Sequence, residues 1–156
     1  MKAKTKSLLL NIAIPLAVGG LSALLTKDNM IMFEYVRKPP LSPPAWLFPV
    51  VWTILYILMG LAAYFVSNSN KPKKQVDSAL LFYGLQLFFN FFWSIFFFNL
   101  EKYLFSFIWL LALWVLIIIT MVKFFGIDKK SGYLMLPYLL WVTFAAYLNF
   151  GIYIFN

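Results

Sequence analysis

The chain has 156 residues, of which 63% are hydrophobic, 21% aromatic and only 12% charged, and it carries a net charge of +8. Soluble domains hold about 25% charged residues, and a domain this small has too much surface for its volume to hide such an apolar excess, so a water-soluble fold is excluded and the surplus faces lipid. The absence of Cys and His excludes disulfides, thiol nucleophiles, Cys/His metal sites and His-based acid–base chemistry, and removes the two commonest haem axial ligands. Neither a metal nor a resident cofactor is expected.

Five apolar stretches, at about 7–25, 45–66, 78–100, 103–124 and 133–155, approach the ~20 residues that a helix needs to cross a hydrocarbon core of ~30 Å. The first follows Lys2, Lys4 and Lys6, which also suits the start of a signal peptide. Its length of about 19 residues and the lack of a small-x-small cleavage site favour a retained span. Segment 26–44 is longer than ordinary helix–helix connections. It contains Arg37-Lys38-Pro39-Pro40-Leu41-Ser42-Pro43-Pro44, whose prolines fix φ and stiffen the chain. Two readings fit it equally: a rigid lead-in to the second span, or a lid over the outer end of the bundle.

The second and third spans are joined by a polar turn, Ser67 to Lys74, and the third and fourth by Glu101-Lys102, a connection tight enough to make them antiparallel neighbours. Lys123, at the end of the fourth span, can snorkel to the interface. Gly126 to Gly132 connects the fourth and fifth. The expectation is an all-α membrane protein, a compact bundle of five transmembrane helices forming one domain over 1–156.

Basic residues fix the orientation. Lys2, Lys4, Lys6, Lys71, Lys73, Lys74, Lys123, Lys129 and Lys130 fall on one side; Lys27, Arg37, Lys38 and Lys102 fall on the other. The positive-inside rule then places the N-terminus in the cytoplasm and the C-terminus outside, with a plasma membrane as the expected location. The basic charge reads as a topology signal and not as a nucleic-acid footprint.

Polar residues within spans need a reason. Gln86, Asn90, Trp93, Ser94 and Phe97 share one stripe of the third span; Phe48, Trp52, Tyr56 and Gly60 recur every four residues in the second; Pro137, Trp141, Ala145 and Asn149 do so in the fifth. Each stripe alone suits interhelical glue. Three together suit a pocket of the usual kind, mostly aromatic with a few placed polar groups: a flat ligand between Trp52 and Trp141, with Gln86 and Asn90 as hydrogen-bonding partners. Tyr35, Trp46, Tyr103 and Tyr133 suit an interfacial aromatic belt, and Gly19-x-x-x-Ala23 suits a helix contact or a dimer face. By this reading spans one and four are mainly structural. No carboxylate or buried cation lies at membrane depth, which leaves proton relays and ion coupling unsupported.

The chain resembles the translocator protein (TSPO) family, also called tryptophan-rich sensory proteins or peripheral benzodiazepine receptors. The residues carrying the resemblance are Lys38-Pro39, Pro43-Pro44-Ala45-Trp46, Val51-Trp52, Leu55-Tyr56 and Met59-Gly60. They continue with Asn90, Trp93-Ser94, Phe97-Phe98, Leu136-Pro137-Tyr138-Leu139, Trp141, Phe144-Ala145 and Leu148-Asn149. Their order and spacing extend over nearly the whole chain. The resemblance implies a five-helix bundle, often dimeric, with a pocket closed by the first loop, binding porphyrins such as protoporphyrin IX, steroids and synthetic benzodiazepine-site ligands. It implies pocket positions at Phe33, Pro43, Phe48, Tyr56, Asn90, Ser94, Ala145 and Leu148, and tryptophans Trp52 and Trp141 for the porphyrin photo-degradation reported of some bacterial members. Sensing, photo-oxidation and translocation of the ligand are the three functions it leaves open. Met32-Phe33 stands where the family often has Trp-Tyr, Leu41 where it often has Trp, and Leu110 where an Asp is common. The C-terminal cholesterol motif requires Leu, Tyr and a basic residue, and here the positions read Leu148, Phe150 and Ile154, so that motif does not support cholesterol binding.

Overall fold

The computed structural model describes residues 2–156. Five long helices, α1 (Lys2–Thr26), α3 (Leu47–Ser67), α4 (Lys73–Ser94), α5 (Tyr103–Ile127) and α6 (Lys129–Phe155), are joined by the single turn α2 (Met32–Tyr35), and α4 runs on into a π turn, Ile95–Asn99. No strand occurs among the described residues. Each long helix, α4 counted with its π turn, is long and apolar enough to cross a membrane. Helices are the expected solution, because in lipid every backbone N–H and C=O must find its partner within the chain.

Helices α1, α4 and α6 begin about a turn before the apolar stretches do, at Lys2, Lys73 and Lys129. Apolar length measures the hydrocarbon crossing, and the lysine-bearing first turns continue the helix into the headgroup layer. The connection expected at Gly126 to Gly132 is reduced to one residue. Gly126 and Ile127 complete α5, Asp128 is extended, and its carboxylate accepts from the Lys130 amide at 2.8 Å as a helix cap. A capped start lets one extended residue reverse the chain, and Gly132 tucks under the Phe125 ring, where a Cβ would lie 2.3 Å from Phe125 Cγ.

The helices pack in a ring in the order α1, α3, α6, α5, α4. Helix α1 is the least buried, with 11% of its most apolar window inside the protein. Its grip on α3 rests on two glycines. A Cβ on Gly60 would lie 2.5 Å from Ile12 Cα and 2.7 Å from the Asn11 carbonyl oxygen, so α3 rests on α1 backbone, as small residues permit in membranes. That carbonyl is the one that Pro15, lacking an N–H, cannot engage from within α1. A Cβ on Gly19 would lie 2.2 Å from the Tyr56 ring. Gly19 of the Gly19-x-x-x-Ala23 spacing therefore makes a contact inside the bundle.

Residues 27–46 cross the end of the bundle and are fastened to α6. The Pro39 ring lies on Gly151, where a Cβ would come within 2.4 Å of it. Tyr147 Oη donates to the Pro40 carbonyl at 2.7 Å, and Asn156 exchanges hydrogen bonds with the Arg37 backbone at 3.1 and 2.8 Å. Lys38 turns back over the Phe33 ring at 4.8 Å and donates to the Phe33 carbonyl. Asn99 in the π turn bonds both Asn29 and the Leu25 carbonyl, tying down the start of the loop. Leu41, between the proline pairs, takes a left-handed φ of 69°.

Candidate functional site

Beneath the loop, α1, α3, α4 and α6 enclose a cavity of about 270 Å³. Helix α3 supplies Phe48, Trp52 and Tyr56; α4 and its π turn supply Trp93, Ser94, Phe97 and Phe98. The walls between them are of smaller residues, with Gly19, Ser22 and Ala23 on α1 and Ala145, Leu148, Asn149 and Ile152 on α6. Phe33 and Met30 of the loop close the outer end. Tyr56 lies nine residues into α3, about 13 Å along its axis, so the cavity reaches toward mid-membrane.

The rings hold one another. Trp52 stacks on Tyr56 at 5.6 Å, Trp93 on Phe97 at 5.3 Å, and Phe33 meets Phe48 edge-on at 5.0 Å. Each aromatic is therefore set by a neighbour before anything enters, the arrangement expected of a preformed apolar site.

Of the residues singled out from sequence, Phe33, Phe48, Trp52, Tyr56, Trp93, Ser94, Phe97, Ala145 and Leu148 come together on this wall. Four do not. Pro43 is half-buried in the loop, away from the wall. Gln86 and Asn90 lie deeper, fully engaged with other side chains: Tyr56 Oη donates to Asn90 Oδ1 at 3.0 Å, Asn90 Nδ2 to Tyr138 Oη at 2.8 Å, and Tyr138 Oη to Gln86 Oε1 at 2.6 Å. These amides already serve tyrosines, so they brace the floor and do not line the cavity. Trp141 packs edge-on against Phe48 at 5.8 Å. It borders a separate groove between α3 and α6 with Pro137, Leu140 and Phe144. Its indole thus packs on Phe48 and is not on the cavity lining, whereas Trp52 is.

Sequence reading passed over two contributors. Helix α1, assigned a structural part, gives the cavity a side through Gly19, Ser22 and Ala23. Tyr138, fully buried at 1% exposure, is the hub of the polar floor. It lies seven residues before Ala145, two turns down the same face, a spacing that the choice of Pro137 missed by one position. A second polar cluster fixes the α4 wall: Asn149 Oδ1 accepts from Trp93 Nε1 at 3.0 Å and from Ser106 Oγ at 3.2 Å, while its amide donates to the Tyr103 carbonyl at 2.9 Å.

A five-helix integral membrane protein with an aromatic cavity under a proline-rich loop is the class these features define. The sequence profile of the TspO/MBR family matches residues 11–154. The chain is 38% identical over 153 residues to the tryptophan-rich protein TspO of Chlorobaculum tepidum, covering 97% of each chain. It is 36% identical over 124 residues to protein CrtK of Rhodobacter capsulatus, covering 80% of this chain and 78% of that one. It is 29% identical over 119 residues to the translocator protein of Ovis aries, covering 76% and 70%. The chain belongs to the TspO/MBR family.

Proposed function

We propose that this protein is a membrane receptor or sensor that binds porphyrins such as protoporphyrin IX, and similar planar hydrophobic molecules, in the cavity between α1, α3, α4 and α6. The observation that carries this reading is the pair of facing aromatic walls, Phe48–Trp52–Tyr56 and Trp93–Phe97–Phe98, whose ring faces suit a flat aromatic guest. Ser94 on the α4 wall and Ser22 on α1 also line the cavity and give a polar-edged ligand places to hydrogen-bond. At about 270 Å³ the cavity is slightly under the usual ligand-pocket range of roughly 300–1,000 Å³. A tetrapyrrole therefore enters with movement of residues 27–46 off α6.

Titration of protoporphyrin IX against tryptophan fluorescence tests the reading. Saturable quenching is expected, weakened in Trp52→Phe; quenching that never saturates, or that is unchanged in Trp52→Phe, would sink it.

Photo-oxidation of the porphyrin is a second reading, favoured by the position of Trp52: it faces the cavity and stacks on Tyr56, whose hydroxyl joins the buried Asn90–Tyr138 network. Trp52 is then the first redox partner and Trp141, packed on Phe48, an indirect one. New absorbance bands on illumination should vanish in Trp52→Phe and persist, reduced, in Trp141→Phe. Translocation has the weaker support, since apart from Lys123 no charged group lies along the spans. The orientation with N-terminus cytoplasmic, in a plasma membrane, and a homodimeric assembly complete the proposal; cysteine labelling from either side tests the first on a chain with no native cysteine.

A further inference from the structure

At the end of the bundle that bears nine of the thirteen cations, away from the aromatic cavity, the first turns of α4 and the last turn of α5 form a crevice. It is lined by Pro72, Lys74, Gln75, Ser78, Lys123 and Gly126. Lys123 lies four residues inside the end of α5, about 6 Å down the axis, and its side chain reaches across to α4. Its ammonium donates to Ser78 Oγ at 3.0 Å and rests over the Phe82 ring at 5.1 Å. Both partners are neutral, and no carboxylate lines the crevice; Asp77, though next to Ser78 in sequence, is not part of its wall. An ammonium has three donors, so a half-buried cation at interfacial depth is left with its charge unmatched. Gln75 adds an amide, which donates to the Gly126 carbonyl at 3.3 Å, and Lys74 adds a second, exposed cation.

Toward the membrane centre the crevice gives way to apolar surface. Leu81, seven residues on from Lys74, and Val122, one turn before Gly126, are 61% and 62% exposed. A polar, cationic recess that opens onto lipid-facing aliphatic side chains has the two-part chemistry of a phospholipid, phosphate above and acyl chains below. Basic recesses between transmembrane helices on the cytoplasmic side recognise such headgroups.

We propose that this crevice is a binding site for the phosphate headgroup of an anionic phospholipid, with Lys123 and Lys74 as its cations and the Ser78 hydroxyl as a further donor. Its occupancy is independent of whatever fills the aromatic cavity.

Native mass spectrometry of the full chain, released from mixed phosphatidylglycerol and phosphatidylcholine micelles, tests this. One phosphatidylglycerol should be retained in preference to phosphatidylcholine. Lys123→Met should lower that retention about fivefold, the effect of one interfacial lysine. Lys123→Arg should restore it, and Lys129→Ala, at the same end but outside the crevice, should leave it unchanged. Helical circular dichroism confirms that each variant is folded. Equal retention in Lys123→Met, or equal loss in Lys129→Ala, would overturn the site in favour of diffuse surface attraction. Displacement of the lipid by millimolar inorganic phosphate would overturn the lipid assignment in favour of a free anion.

Discussion

Two buried tyrosines provide a direct test of the polar floor beneath the cavity. Tyr138 and Tyr83 both sit in the core, 1% and 7% exposed. Tyr138 Oη holds two hydrogen bonds, from Asn90 and to Gln86, at 2.8 and 2.6 Å, whereas Tyr83 Oη is buried with no partner. Tyr138→Phe removes both bonds and leaves an amide donor and an amide acceptor unpaired in a water-poor interior. Interhelical hydrogen bonds in membranes average about 0.6 kcal/mol and reach about 1.7, so losing two costs about 1–3 kcal/mol. Tyr83→Phe removes a hydroxyl that was desolvated without compensation, so its effect is near zero or stabilising. Reversible unfolding in mixed SDS and lipid-like detergent micelles measures both. If Tyr83→Phe is as destabilising as Tyr138→Phe, hydroxyl bonding is not what holds the floor.

Gly60→Val should strongly destabilise the attachment of α1, because the new Cβ would lie 2.5 Å from Ile12 Cα. Gly84→Ala, with open space around it, should be neutral or gain up to about 1 kcal/mol from helix propensity; the same unfolding assay compares them. Gly151→Ala pushes on the Pro39 ring at 2.4 Å, and should speed protease cleavage within residues 27–46 while leaving helical circular dichroism unchanged. Asn156→Ala, which removes the hydrogen bonds to Arg37, should act in the same direction more weakly.

The five crossings were legible because lipid leaves a chain little choice: apolar length near 20 residues implies helix. The α3 wall was legible for a similar reason, since Phe48, Trp52 and Tyr56 repeat at a helical interval. What the pattern could not show was which level of a stripe meets open space. Gln86 and Asn90 share a face with Trp93 and Ser94, yet the Tyr138 hydroxyl from a distant helix claims them. Trp141 shares a face with Leu148, yet it packs on Phe48 and is not on the cavity lining. Small residues hid the part played by α1, because Gly19 and Ala23 form a wall through what they lack. The π turn at Ile95–Asn99 left no periodic mark either, although Phe97 and Phe98 both reach the cavity from it.

The central claim is that the ligand occupies the cavity between α1, α3, α4 and α6. Ala23 is an exposed residue on its wall, so a larger side chain there intrudes without disturbing the core, while Ala17, also exposed on α1, lies outside the cavity. The most direct measurement is protoporphyrin IX affinity in Ala23→Trp against Ala17→Trp. A loss of about tenfold or more, or about 1.4 kcal/mol, confined to Ala23→Trp is predicted; equal affinity in the two variants would place the ligand elsewhere.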